Sequence, residues 1–332
     1  MKKNLLLMCL TFVFAFMFFS CMNVDVNKVE YPKPNYSDSQ KQELENYTNL
    51  IKENPNDAGA YSMRANLEKN CGDFVNSLND YNKAIELDNT NYQYYKDRAV
   101  LKKDYLGNLI GAIKDWDKVI ELCPNYDDAY RERADIKIKV ADFSGAIKDS
   151  DKAIELNANN YEAYEKRAKA KRGINDTEGA IKDFEKAIEI RPYHFEYYRD
   201  KAQTINILDN YEEAIESYEK ALKLNENDAN LWDNYGNALR NFGKREEAIK
   251  AYNKAIEINP HHMHSYSNLA NAQKEIGDLN GALVSLEKAK ELDINNKFIQ
   301  KQIDEIKKQI EEQPKEVELT LIKPEEGNEQ NK

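Results

Sequence analysis

Four asparagines, Asn234, Asn237, Asn268 and Asn271, have the spacing in this 332-residue chain that points most directly to a chemical task. Residues three apart share one face of a helix, so each pair presents two side-chain amides together. The second pair stands at the same places of the next sequence repeat. An amide both donates and accepts, so such a ladder can hold the N–H and C=O groups of a peptide without reading its side chains. Neighbouring helices pack about 8–10 Å apart and an extended peptide advances roughly 3.3–3.6 Å per residue, so one pair meets the ligand at about every third residue. Equivalent places earlier in the chain carry mixed charge: Lys96 with Asp97, Arg131 with Glu132, Glu165 with Lys166, and Arg199 with Asp200. That lining suits a charged, extended polypeptide. The competing readings are that the charges pair with one another and that the asparagines are merely solvated.

Three of the four histidines, His261, His262 and His264, lie close together and offer imidazole nitrogens to a transition metal. No carboxylate or cysteine completes a ligand set nearby in sequence, so they read as exposed polar residues of a connecting loop. The chain has no Gly-rich phosphate loop, no nucleophile with a positioned base and no His-Glu-x-x-His pair. No catalysis, cofactor, metal or small-molecule substrate is expected. The net charge of −11 makes nucleic acid a poor partner, because phosphate binding needs a basic stripe. Lysines and acids interleave instead, as in residues 178–189, the pattern of a solvated helical face.

A 34-residue period sets the elements that position these residues. In residues 229–262, Trp232, Gly236, Leu239, Ala248, Tyr252, Ala255 and Pro260 stand at fixed offsets. An aromatic near the start of each copy (Tyr61, Tyr95, Tyr130, Tyr164, Tyr198, Trp232, Tyr266) is followed four later by a small residue, from Ala65 to Ala270. Each copy predicts two short amphipathic helices, with small residues where the axes approach closely and aromatics filling the space beside them. Gly72-Asp73 and Gly277-Asp278 predict left-handed turns between the helices. Pro124, Pro192 and Pro260 stop second helices.

With these offsets, residues 58–296 resemble the tetratricopeptide repeat (TPR) proteins. The resemblance implies an all-α TPR solenoid, a right-handed superhelix of helix-turn-helix repeats. Seven repeats run 58–91, 92–126, 127–160, 161–194, 195–228, 229–262 and 263–296. The second carries one extra residue near Leu106-Gly107. Asn89, Ala158, Glu226 and Ile294 replace the family proline, and Ser150 and Leu286 stand where an aromatic is usual. Stacked repeats need caps. Residues 40–57 predict a leading half-repeat helix, and residues 297–313 a closing helix with Phe298, Ile299, Ile303, Ile306 and Ile310 at helical spacing.

The ends concern location. Lys2-Lys3 and the apolar run from Leu5 to Phe19 have the layout of a signal peptide, residues 1–20, too short to span a bilayer. Ser20-Cys21 resembles the lipobox of bacterial lipoproteins, which implies acylation of Cys21. Residues 21–39, with Pro32 and Pro34, then form the lipidated N-terminus and a tether. The expectation is an exported, lipid-anchored protein of the bacterial cell envelope, with Met22 after the cysteine favouring the outer membrane. Residues 314–332 read as a disordered acidic tail, with strand addition through Val317, Leu319 and Leu321 as the alternative. Cys71 and Cys123 fall at opposite edges of the repeats, about 20 Å apart along a 14-residue helix, so no disulfide joins them.

In the resembled family the first helix of each repeat lines a concave peptide-binding face. Arg199, Gln203, Asn234, His264 and Asn268 occupy the places of the chaperone-tail clamp and supply only part of its charge. The asparagine ladder resembles instead the superhelical repeats joined to O-linked sugar transferases, without a transferase domain. The expected function is a non-catalytic, membrane-tethered scaffold that binds a peptide or protein on its concave face through Lys96, Arg131, Lys166, Arg199 and the four asparagines. The alternative is a structural assembly factor of a larger envelope complex, acting through convex or edge surfaces.

Overall fold

The computed structural model describes residues 31–312. The signal segment, Cys21, the start of the tether, Gln313 and the acidic tail lie outside the described residues. Sixteen α-helices follow one another, with no strand among the described residues. They fall into two compact units that part between Asn210 and Tyr211. The first unit holds α1 (Asp38–Glu53), α2 (Ala58–Asn70), α3 (Phe74–Leu87), α4 (Tyr92–Asp104), α5 (Leu109–Leu122), α6 (Asp127–Lys139), α7 (Phe143–Leu156), α8 (Tyr161–Gly173), α9 (Thr177–Ile190) and α10 (Phe195–Asn206). The second holds α11 (Tyr211–Leu224), α12 (Ala229–Asn241), α13 (Arg245–Ile258), α14 (Met263–Glu275), α15 (Leu279–Leu292) and α16 (Lys297–Glu311). Within each unit every helix packs on the next, and first helices of successive repeats also touch, as α6 does α8 and α12 does α14.

Polar residues start the helices. Asp57, Asn91, Asn160 and Asp228 accept a hydrogen bond from a backbone N–H two or three residues on, which satisfies amides that have no partner inside the helix. Second helices use a four-residue device in which Asn108, Asp142, Asp176 and Asp278 cap the amides of Gly111, Gly145, Gly179 and Gly281. A Cβ on Gly145 would lie 2.1 Å from the Asp142 carboxylate, so glycine is what lets this cap close. At the turns, Gly72 and Gly277 take the positive φ expected of them. Ala141 holds the same conformation at φ 61 without a glycine's freedom, at a cost of about 1–2 kcal/mol.

The period of small and aromatic residues is the core. In the first unit Ala65, Ala99, Ala134 and Ala168 are fully buried, with Tyr81, Trp116 and Phe184 packed beside them. In the second, Tyr218, Tyr252 and Leu286 play that part. Ser150 takes an aromatic's place in the third repeat and is fully buried, its hydroxyl without a partner. The extra residue of the second repeat is accommodated by turning Leu106 into the core with Ala65, Tyr81 and Leu101. Cys71 and Cys123 cap α2 and α5, and both are free thiols.

Candidate peptide-binding face

Side chains one repeat apart join consecutive first helices. In the first unit Asn66 donates to Asp97 at 3.4 Å, and Lys103 pairs with Glu132 at 2.8 Å. Lys166 pairs with Asp135 at 3.1 Å and Lys169 with Asp200 at 3.3 Å. Arg131 lies 2.9 Å from Asp128, 3.0 Å from Glu132 and 3.1 Å from Glu162. Arg199 lies 2.8 Å from Asp200. Three of the four expected cations, Arg131, Lys166 and Arg199, are thus engaged by the chain's own acids. Lys96 makes no ion pair among the described residues; its ammonium stands 5.9 Å from the centre of the Tyr126 ring. Burial pushes the Asp135 carboxyl up, but Lys166 and Lys139 outweigh it and hold the group below its ordinary value. An acidic ligand meeting this stretch exchanges one carboxylate for another, which leaves little net gain.

The second unit replaces these rungs with amides, and the four asparagines are not equivalent. Asn237 accepts from the Tyr252 hydroxyl at 3.0 Å and donates to Asp233 at 3.3 Å. Asn268 donates to both oxygens of the buried Asp233, at 3.1 and 3.2 Å, and Ser265 donates to it at 2.8 Å. The expected ladder of two like pairs gives way to two amides committed to the fold and two, Asn234 and Asn271, with no hydrogen bond among the described residues. Both of these are half-buried. Asn271 lines a cavity of about 30 Å³ with Gln302, whose buried Oε1 has no partner. That space is large enough for a water.

Ser265, His262 and Asp233 lie in one hydrogen-bonded chain, since the His262 ring stands 2.6 Å from the Ser265 hydroxyl. These are the residue types of acyl transfer. Ser265, however, is fully buried and gives its one proton to Asp233, so it has neither access to substrate nor a free base. The other nitrogen of His262 meets Asn230 at 3.0 Å, while His261 and His264 are exposed. Among the described residues no three His, Cys, Asp or Glu side chains gather as a metal would require.

The feature that reading by charge pattern misses is a buried ion pair between the two helices of a repeat. Arg64 meets Asp80, Arg98 meets Asp115, Arg133 meets Asp149 and Arg167 meets Asp183, each with a nitrogen 2.6 Å from the carboxylate. Each uses two nitrogens on two oxygens, the strong form of this contact. A further nitrogen of Arg98, Arg133 and Arg167 reaches the preceding second helix at Asn82, Asp117 and Asp151, 2.7 Å away in each case. Lys102, Lys137 and Lys171 add a second cation to Asp115, Asp149 and Asp183. Asp183 belongs to residues 178–189, expected to form a solvated face, yet it is 3 % exposed. The signal was available as recurrence of Arg and Asp at the repeat interval.

A family described as tetratricopeptide repeat matches residues 58–91, 161–194 and 264–296, and one described as TPR repeat matches 207–241 and 236–277. No curated protein matches the sequence. Among solved structures, a tetratricopeptide repeat protein from Parabacteroides merdae is 16 % identical with a TM-score of 0.57, over 79 % of this chain and 98 % of that one. The APC/C hetero-tetramer Cut9–Hcn1 is similar at 15 % identity and a TM-score of 0.55, over 80 % of this chain and 52 % of that one. Yeast Tom70 is similar at 18 % identity and 0.51, over 89 % and 69 %. At these identities the likeness is one of fold. The chain carries tetratricopeptide repeats, and its fold is the all-α TPR fold.

Proposed function

We propose that this chain is a non-catalytic scaffold that holds an extended polypeptide against the first-helix face of its second unit, with Asn234 as the central contact and Asn271 as the next. One observation carries this reading: Asn234 stands half-buried on that face with its donors and acceptor unused. A buried amide gains most from a ligand when the fold leaves it unpartnered. Arg131, Lys166 and Arg199 are held by the chain's own acids and add little, while Lys96 makes no ion pair among the described residues. The test is selection of extended peptides from a displayed library. Asn234→Ala with Asn271→Ala is expected to weaken the selected peptides by roughly five- to 150-fold, at about 0.5–1.5 kcal/mol for one hydrogen bond per amide. The melting midpoint should stay in place. Undiminished binding by the folded double variant rejects the amides as the contact.

The same proposal places the scaffold in the bacterial envelope on a lipid carried by Cys21. Its support is the apolar run from Leu5 to Phe19 ahead of Ser20-Cys21; several acyl chains anchor stably where one is marginal. Cys21→Ala is expected to move the protein from the membrane fraction to a soluble or precursor form. Unchanged partitioning into detergent would remove the anchor from this account.

A further inference from the structure

The residue that ends the first helix of a repeat is apolar, and in the first unit it is exposed at Tyr105 (44 %) and Ile174 (48 %) and half-buried at Val140. Cys71 holds the same place in the first repeat and is 7 % exposed. The difference has a visible cause: residues 31–36 lie across that turn. The Tyr31 ring meets Phe74 edge-on with centroids 5.6 Å apart, and Phe74 in turn meets Tyr105 at 4.8 Å. The Asn35 N–H donates to the Cys71 carbonyl at 3.0 Å, and the Tyr36 hydroxyl donates to the Asp73 carboxylate at 3.1 Å. This segment, Tyr31-Pro32-Lys33-Pro34-Asn35-Tyr36, forms no regular element. Its two prolines favour the extended state, so little entropy is lost on docking.

The third repeat offers the same three contacts without an occupant, and the fourth offers two of them, with Thr177 in the aromatic's place. Val140 and Ile174 end α6 and α8, and their carbonyls accept no hydrogen bond among the described residues. Phe143 stands where Phe74 does and lies against Gly173, where a Cβ would come within 2.6 Å of its ring. Asp142 and Asp176 replace Asp73; each uses one oxygen to cap its helix, and both residues are exposed. We propose that the turn edge of the third and fourth repeats is a second docking surface, which takes an extended, proline-spaced, tyrosine-bearing segment of another protein in the way the first turn takes residues 31–36. A ring covers Val140 and Ile174, a backbone N–H reaches a helix-end carbonyl, and a phenol reaches Asp142 or Asp176. This edge is separate from the first-helix face and its amides.

The probe is a labelled peptide of residues 29–38, titrated by fluorescence anisotropy against the full chain, with methyl NMR to locate it. Saturable binding is expected, with shifts at the Val140 and Ile174 methyl groups. Val140→Asp with Ile174→Asp, and Ile174→Asp alone should the pair melt early, are expected to weaken it about tenfold or more. Alanine in place of both peptide tyrosines should do the same, while the shifts at Val140 and Ile174 persist in the Asn234→Ala variant. No saturation by about 1 mM overturns the proposal, as does binding indifferent to Ile174→Asp. Two other results also overturn it: dependence on Phe74 alone, which places the peptide on the first turn, and a dimer that Ile174→Asp abolishes, which gives the edge to a second copy.

Discussion

The first unit holds its repeats with buried ions, and the second does the same architectural task almost without them. At the seventh place of a repeat the first unit has Arg64, Arg98, Arg133 and Arg167, each on a buried aspartate. The second unit has Tyr235 and Leu269 there, and Ala251 and Ser285 where the aspartates would be. Tyr235 still reaches the preceding second helix, donating to Glu219 at 3.2 Å, and Ser285 donates to Gln273 at 2.7 Å. Exposed lysine–glutamate pairs such as Lys152–Glu155 and Lys254–Glu257 occur in both units and cannot account for the difference. What the two units share is the layer of buried small residues and aromatics. The spacing of the helices follows from that layer, and the polar link between them is interchangeable provided each buried group is satisfied. A buried pair is therefore costly to break and inexpensive to replace.

The largest expected effect comes from breaking it. Burial alone would lower the Arg167 guanidinium, but its bonds to Asp183 and Asp151 outweigh burial and hold it above its ordinary value. Arg167→Ala leaves Asp183 buried with Lys171 alone, 2.8 Å away. The loss should be about 3 kcal/mol, the low end for an orphaned buried charge because Lys171 remains, and it spreads to neighbouring repeats. Arg167→Leu, Lys171→Gln and Asp183→Ser together install the seventh repeat's set, Leu269, Gln273 and Ser285. Chemical denaturation should show this triple variant recovering at least half of the loss. If it unfolds as early as Arg167→Ala, the two kinds of link are not interchangeable.

The fold was legible because the 34-residue period records packing, and packing dominates the energetics of stacked helices. Ala65, Ala134, Ala168 and their counterparts were expected at close helix contacts and are fully buried. The candidate site was legible in position but not in state. Asn237 and Asn268 look no different in sequence from Asn234 and Asn271. Their commitment depends on Asp233 and Tyr252, placed beside them by tertiary structure. Likewise Asp183 sits among lysines and glutamates as any surface aspartate would; only the helix facing it removes it from water. Residues 31–36 read as tether, since their contacts are with a turn some 40 residues on.

Glu68 gives a smaller effect and a finer edge to the same comparison. Lys102, Lys137 and Lys171 occupy one place in the second, third and fourth repeats, each on the buried aspartate. The first repeat has Glu68 there, 6 % exposed, with one carboxylate oxygen unpartnered. Burial pushes its carboxyl up to about 8; the nearby Asp80 and Asp73 push the same way, and Arg64 opposes them. The sign follows directly. Below about pH 4.5 both folded and unfolded chains hold this proton and Glu68 costs nothing. Between there and pH 8 the unfolded chain ionises while the folded one does not, so stability falls as pH rises. Glu68→Gln keeps the shape without the charge. Its unfolding midpoint should match that of the unaltered chain at pH 4.5 and exceed it at pH 8, by about 1–3 kcal/mol, the range for an unsatisfied buried group. Glu68→Lys, which supplies the cation of the next three repeats, should exceed Gln at pH 8 because it also pairs with Asp80. Equal midpoints for all three chains at pH 8 would mean that the first repeat opens enough to hydrate Glu68.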